Sequence, residues 1–359
     1  MISVSENDVI NALRKVNDPE LHQDLVSLGM IHEVKVKDGS VSFLIKLTTP
    51  ACPLKSKIEA DAKAAVLALP GVKIVSVKMD SEVRGDPKLK DALPYSIKFS
   101  IAVASGKGGV GKSTVAVNLA IALAKTGAKV GLLDADIYGP NIPTMMGIES
   151  LPEPTNNKLT PAEKYGVKVM SIGFLVPPGQ ALIWRGPMLH TAIKQFLHDV
   201  DWGDLDYLVI DLPPGTGDAQ LSLAQNIPLS GGVIVTLPQQ VSVDDASRGL
   251  QMFQTLNVPI LGVVENMSFL ELADGSQIKV FGEGGGQRLA DAANVAFLGQ
   301  IPMDPTVREG GDSGKPVIVA SPETAAAKAF EIIAGKTAAA LSVNSTMSES
   351  SAIKVKVIE

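Results

Sequence analysis

A chain of 359 residues is long for one domain and points to two. Hydrophobic residues make up 45 % of it but aromatics only 4 %, which suits a core of Ala, Val, Leu and Ile in close helix–sheet packing. A net charge of −6 and a pI near 5.4 argue against a nucleic-acid footprint, and no apolar run is long enough to span a bilayer. The first residues lack the basic start and apolar stretch of a secretory signal, so the cytoplasm is the expected compartment. The single cysteine, Cys52, excludes an intrachain disulfide and a four-cysteine metal site within one chain.

Residues 1–82 are expected to form a small α+β domain. Glu6 to Val16 reads as a helix, with Val9, Ile10, Leu13 and Val16 at helical spacing. Ile31 to Val36 and Val41 to Leu47 alternate and are joined by the turn Lys37-Asp38-Gly39-Ser40 into a hairpin. Leu54 to Leu69 reads as a helix started by Pro53, and Val72 to Met79 as a third strand. Cys52 falls at the strand-to-helix turn. Two readings stand: a thiol whose pKa a helix N-terminus lowers, or a small buried residue. Residues 83–95, polar and marked by Asp86-Pro87 and Leu93-Pro94, read as a linker.

The large domain, 96–340, repeats strand, loop and helix. Strands are predicted at Ile97 to Ala104, Lys129 to Leu133, Val167 to Ile172, Tyr207 to Ile210, Gly232 to Leu237, Ile260 to Val264 and Ala296 to Gly299. Helices are predicted at Val115 to Lys125, Pro187 to Val200, Ala219 to Gln225, Val243 to Leu256 and Pro322 to Ala339. Short apolar β-branched strands suit a doubly wound, mostly parallel sheet, whose ligands bind beyond the strands' carboxyl ends. The polar, Ser-rich stretch 341–359 is expected to be disordered.

The decisive motif follows the first of these strands. Gly106, Lys107, Gly108, Gly109, Val110, Gly111, Lys112, Ser113 and Thr114 fill G-x-x-x-x-G-K-[ST] between a strand and a helix, the context of a phosphate-binding loop. Glycines let successive N–H groups surround an anion, and the helix adds its positive end. Lys112 is expected on the β- and γ-phosphates of ATP, and the Ser113 hydroxyl on Mg²⁺. Lys107 is a second lysine that an ordinary loop of this kind does not need. It either neutralises charge developing between the phosphates, across a dimer interface if its own loop prevents curling back, or merely steers the anionic ligand. Asp134 and Asp136 end the next strand, as candidates for positioning water and supporting Mg²⁺ or as solvated turn residues. Leu208-Val209-Ile210-Asp211 is an apolar strand ending in a carboxylate for Mg²⁺, and Gly215 just beyond it can offer its N–H to the γ-phosphate. The four histidines, His22, His32, His190 and His198, show no metal-ligand spacing.

Lys107-Gly-Gly-Val-Gly-Lys112-Ser-Thr114 resembles the deviant Walker A loop of the MinD/ParA/nitrogenase-iron-protein class of dimeric ATPases. Asp134-Ala-Asp-Ile-Tyr-Gly-Pro-Asn-Ile-Pro143, Trp184-Arg-Gly-Pro187, Asp211-Leu-Pro-Pro-Gly-Thr-Gly-Asp218, Val264-Glu-Asn-Met267 and Phe281-Gly-Glu-Gly-Gly-Gly286 narrow it. Together they resemble the Mrp/ApbC family of iron–sulfur cluster carrier ATPases. Residues 1–82, with Asp18-Pro19-Glu20 and Thr49-Pro-Ala-Cys-Pro53, resemble the small iron–sulfur assembly domain fused ahead of it. The resemblance implies an ATP-hydrolysing homodimer that delivers clusters from an assembly scaffold to apo iron–sulfur proteins, without nucleic acid or membrane. It implies Lys107 as the lysine reaching the partner's nucleotide, Asp136 as the switch aspartate, Asp211 as the Walker B aspartate and Asn266 as the adenine contact.

One departure stands out. Many members carry a C-x-x-C pair after the Glu-Asn-Met block, where two subunits bridge a cluster, whereas the segment Ser268 to Phe281 contains no cysteine. A cluster would then depend on Cys52 with exogenous thiols, other side chains or a partner. Two further readings stay open: a nucleotide-switched adaptor holding no cluster, and a MinD/ParA-like positioning ATPase, against which the acidic pI and non-basic C-terminal stretch argue.

Overall fold

The computed structural model describes residues 4–89, 92, 95–136, 139–155, 158–175, 186–272 and 274–356. The chain forms two compact units, Met1–Arg84 with Ala338–Glu359, and Gly85–Thr337. In the first, α1 (Glu6–Leu13) starts at Ser5, whose hydroxyl accepts from the Asp8 amide while the Asp8 carboxylate accepts from the Ser5 amide. β1 (Ile31–Lys37) and β2 (Ser40–Leu47) form the expected antiparallel hairpin. After α2 (Lys55–Leu67), β3 (Ile74–Ser81) returns parallel to β2. Alternation along β2 buries Val41, Phe43, Ile45 and Leu47 in one core with Ile58, Ala62 and Val66, which stand four residues apart on α2.

The second unit begins with β4 (Ile97–Ser105) and α3 (Lys112–Lys125). It continues through β5 (Val130–Asp134), α4 (Ile142–Met146), β6 (Ala162–Lys164), β7 (Val167–Ser171), α5 (Gly186–Asp199) and β8 (Leu205–Asp211). Then come α6 (Asp218–Asn226), β9 (Gly231–Thr236), α7 (Gln240–Thr255) and β10 (Ile260–Glu265). The remainder is β11 (Leu270–Glu271), β12 (Gln277–Ile278), α8 (Gly285–Ala293), β13 (Phe297–Gln300), α9 (Pro305–Asp312), α10 (Val317–Ala320) and α11 (Ala325–Lys356), which belongs to this unit up to Thr337 and to the first beyond it. The main sheet runs β13-β10-β9-β4-β8-β5-β7-β6, parallel except for the edge pair β6 and β7. This is the doubly wound sheet that the sequence predicts.

Its order places the site. From β4 the chain crosses to β5, comes back to β8 at one side of β4, and then passes to β9 on the other side. The strand order reverses around β4, so a crevice opens beyond the carboxyl ends of β4, β8 and β9. α3 covers this centre with ten buried residues, five of them Val or Ala.

Within the stretch 341–359, expected to be disordered, residues 341–356 are helical. α11 continues to Lys356 rather than stopping near Ala339, with Leu341, Ser342 and Ser345 buried. Serine does not break the helix here because its hydroxyl bonds back one turn: Ser342 Oγ donates to the Ala338 carbonyl at 3.1 Å. In the expected linker, Val83 and Leu89 are buried, while residues 93 and 94 lie outside the described residues.

Candidate nucleotide site

The loop 105–111 connects β4 to the start of α3 and is held from three sides. Ser105 Oγ donates to the Lys107 carbonyl at 2.9 Å. The Gly215 N–H, arriving from β8, donates to the Ser105 carbonyl at 3.0 Å. The Asn266 side-chain amide, arriving from β10, donates to the Val110 carbonyl at 2.8 Å. Two glycines are steric necessities. A Cβ on Gly106 would collide with the backbone of Asp245 on α7. Gly111 precedes α3 with a left-handed backbone, φ 81°, and a Cβ there would strike the Asn266 amide. Gly106→Ala is therefore expected to displace the loop, lower the thermal midpoint and weaken nucleotide binding more than about tenfold; calorimetric titration with ADP checks it.

Lys112 is 5 % exposed and its ammonium stands among carboxylates. Nζ lies 2.6 Å from Asp211 Oδ1, 3.4 Å from Asp136 Oδ2 and 3.3 Å from Ser113 Oγ. Asp134 stands behind this group. Its Oδ1 accepts from the Asp136 N–H at 3.1 Å, and its Oδ2 lies 2.8 Å from Ser171 Oγ. Burial raises Asp211, against the opposing charge and hydrogen bond of Lys112. Burial, with Asp211 beside it, pushes Asp134 up to about 8.

That shift has a sign. Asp134 keeps its proton in the folded chain and loses it on unfolding once the pH exceeds the ordinary carboxylate value. The stabilisation is complete at low pH and is lost as pH rises from about 4 to about 8. The thermal midpoint of the nucleotide-free protein is expected to fall across that window, and Asp134→Asn to flatten the fall; scanning calorimetry at several pH values checks it.

A cavity of about 910 Å³ opens at this point. The phosphate-binding loop, Lys107 and Asp136 form one side, and Asn266, Met267, Met303 and Arg308 another. Its size suits a nucleotide. Asp211 Oδ2 and Asp136 Oδ1 are buried without hydrogen-bond partners. Two unpartnered carboxylate oxygens beside the Ser113 hydroxyl fit a hard divalent cation such as Mg²⁺. When bound, that ion would neutralise phosphate charge.

The structure thus brings Lys107, Lys112, Ser113, Asp136, Asp211 and Asn266 to one crevice. Two of the expected ligand contacts have partners within the protein: the Gly215 N–H donates to the Ser105 carbonyl, and the Asn266 amide to the Val110 carbonyl. Trp184 and Arg185 lie outside the described residues.

Cys52 belongs to the other unit, and its surroundings favour the second of its two readings. α2 begins at Lys55 with Leu54 as its cap, and the backbone hydrogen bond from Leu54 that favours the thiolate is outweighed by burial. Burial, reinforced by the charges of Glu20 and Asp18, pushes the thiol up to about 11. Among the described residues, no three His, Cys, Asp or Glu side chains are grouped to hold a metal ion.

Sequence reasoning missed two residues. Glu265 is fully buried, and its carboxylate accepts from the Gly286 N–H at 2.6 Å, Ser268 Oγ at 2.8 Å and Gln300 Nε2 at 3.1 Å. It ties the end of β10, and with it Asn266, to α8 and β13. Gln220, in the first turn of α6, is 1 % exposed and neither amide atom has a partner. Glu265 lies inside the Val264-Glu-Asn-Met267 block but carries no local sign of its role, and no local pattern marks Gln220.

Comparison with known proteins agrees with this geometry. Residues 96–338 match the model of the NUBPL iron-transfer P-loop NTPase family, and residues 6–79 that of an iron–sulfur cluster assembly protein family. An iron–sulfur cluster carrier protein of Synechocystis is 52 % identical over 344 residues, covering 93 % of this chain and 97 % of that protein. A nucleotide-binding protein of Archaeoglobus fulgidus, solved in complex with ADP, superposes with a TM-score of 0.56 at 41 % identity, covering 64 % of this chain and 90 % of that one. The Pyrococcus furiosus cell-division ATPase MinD superposes at 0.51 with 25 % identity, covering 66 % and 97 %. With that family model spanning most of the chain, this protein belongs to the NUBPL iron-transfer P-loop NTPase family.

Proposed function

We propose that this chain binds and hydrolyses ATP and uses the cycle to deliver iron–sulfur clusters to apoproteins, as a nucleotide-switched homodimer in the cytoplasm. The observation that carries the ATPase reading is the buried Lys112 ammonium between Asp211 and Asp136, each with one carboxylate oxygen left unpartnered. Lys112 would take the β- and γ-phosphates, and Ser113 and Asp211 would hold Mg²⁺. Asp136 would orient the attacking water, and Lys107 would meet charge developing between the phosphates. Asn266 would read adenine. Gly106, Gly108, Gly109, Val110, Gly111 and Thr114 would complete the cradle. Residues 1–82 would form the assembly domain and 96–340 the ATPase domain, joined by 83–95. Among the described residues no helix is long and apolar enough to cross a membrane.

The carrier reading leans on the iron–sulfur assembly domain at the N-terminal end. A second reading, a nucleotide-dependent adaptor that holds no cluster itself, is favoured by the single thiol and its high pKa. Anaerobic cluster reconstitution of wild type and Cys52→Ala separates the two. A carrier gives stoichiometric iron, sulfide and visible absorption per dimer, depends on Cys52, and passes the cluster to an apo-ferredoxin. An adaptor gives no chromophore while ATP turnover persists.

A further inference from the structure

Four buried side-chain polar atoms among the described residues have no hydrogen-bond partner, and they belong to Asp136, Asp211 and Gln220. The two aspartates stand beside Lys112, where a nucleotide and its cation would supply partners. Gln220 is different. It does not line the nucleotide cavity, and Leu223 and Ala224 of the same helix pack into the main apolar core. A buried amide with both ends unpartnered carries its full desolvation cost, which a leucine or methionine of similar size would avoid.

The loop before it explains what such a group is for. Residues 212–217 join Asp211 to α6 and are fastened by two backbone bonds. Leu212 N–H donates to the Val103 carbonyl at 3.1 Å, and Gly215 N–H to the Ser105 carbonyl at 3.0 Å. α6 starts at Gly217 without a side-chain cap, so the loop runs directly into its first turn. The Gly215 N–H serves either the Ser105 carbonyl or a phosphate oxygen, not both at once. When it turns to phosphate, the loop and the first turn of α6 move together, and Gln220 moves with them.

We propose that Gln220 is a positioning residue for the loop 212–217: its amide is partnerless while Gly215 is held by Ser105 and becomes hydrogen-bonded when the loop closes on ATP. The loop is thereby biased toward closure, because the open arrangement bears the cost of the unpartnered amide. This deepens the ATPase reading of the site and rests on it.

The test uses Gln220→Leu and Gln220→Met in the full chain. Both are expected to raise the thermal midpoint of the nucleotide-free protein by a few degrees. Both should raise KM for ATP by about fivefold or more while kcat at saturating ATP stays within about twofold. A lowered midpoint, or an unchanged KM, would overturn the proposal. Hydrogen exchange on the wild type gives a reading free of mutational damage. Amides across 212–224 are expected to slow when a non-hydrolysable ATP analogue and Mg²⁺ are added, and unchanged exchange there would sink the idea. A wild type that turns over no ATP would instead remove the ATPase reading beneath it.

Discussion

Lys112→Ala is expected to lower ATP turnover by about 10²–10³-fold, the scale set by removing one preorganised charge from a transition state. The cause is visible in the packing. The ammonium is buried and meets Asp211 at 2.6 Å and Asp136 at 3.4 Å. ATP would replace one anionic cage around Nζ by another, so the lysine is held ready without a new desolvation cost. Truncation acts twice. It removes the charge that phosphate oxygens would meet, and it leaves the Asp211, Asp136 and Asp134 carboxyls grouped without a counter-charge. Removing one partner of a buried pair costs about 3–5 kcal/mol, so the thermal midpoint should fall as well. Phosphate-release kinetics and calorimetry on the same preparation check both effects. Turnover like wild type would overturn the site.

Much of the site was legible because its parts are contiguous in the chain. The residues 106–114 and the strand ending at Asp211 each carry their meaning in spacing alone. The strands were legible because buried parallel strands, such as β9 with every residue buried, are continuous apolar runs. What could not be read depends on strand order. The Asn266 amide reaches Val110 across 156 residues, a contact that exists because β10 and β4 flank β9 in one sheet. Glu265 likewise gathers Gly286 and Gln300 from two later elements. α8 opens on glycines and was hidden by them. α9 had a signal that could have found it, Asp304 capping a helix with Pro305 in its first turn. For Cys52 the sequence left two readings open, because a turn before a helix does not say how deeply its thiol is covered, and burial raises its pKa.

Lys107→Ala is expected to cut hydrolysis by about 10²–10³-fold, somewhat below the effect of an arginine finger, while ADP and ATP affinities change by less than about tenfold. The two lysines of the loop have different surroundings. Lys112 is buried and paired, so it serves the bound ground state as well as the reaction. Lys107 is half-exposed on the cavity wall, and its ammonium forms no ion pair among the described residues. Its main chain is fixed, because its carbonyl accepts from Ser105 Oγ. A cation on a fixed base, not already committed to a carboxylate, suits charge that grows during reaction, and such charge affects kcat rather than binding. Which nucleotide it serves follows from mixing variants. If Lys107 acts across a homodimer, Lys107→Ala and Lys112→Ala subunits complement each other. Random pairing of equal amounts then restores about a quarter of wild-type turnover, since half the dimers carry one complete site. If Lys107 acts within its own subunit, no pairing rebuilds a complete site, and the mixture stays as inactive as its components.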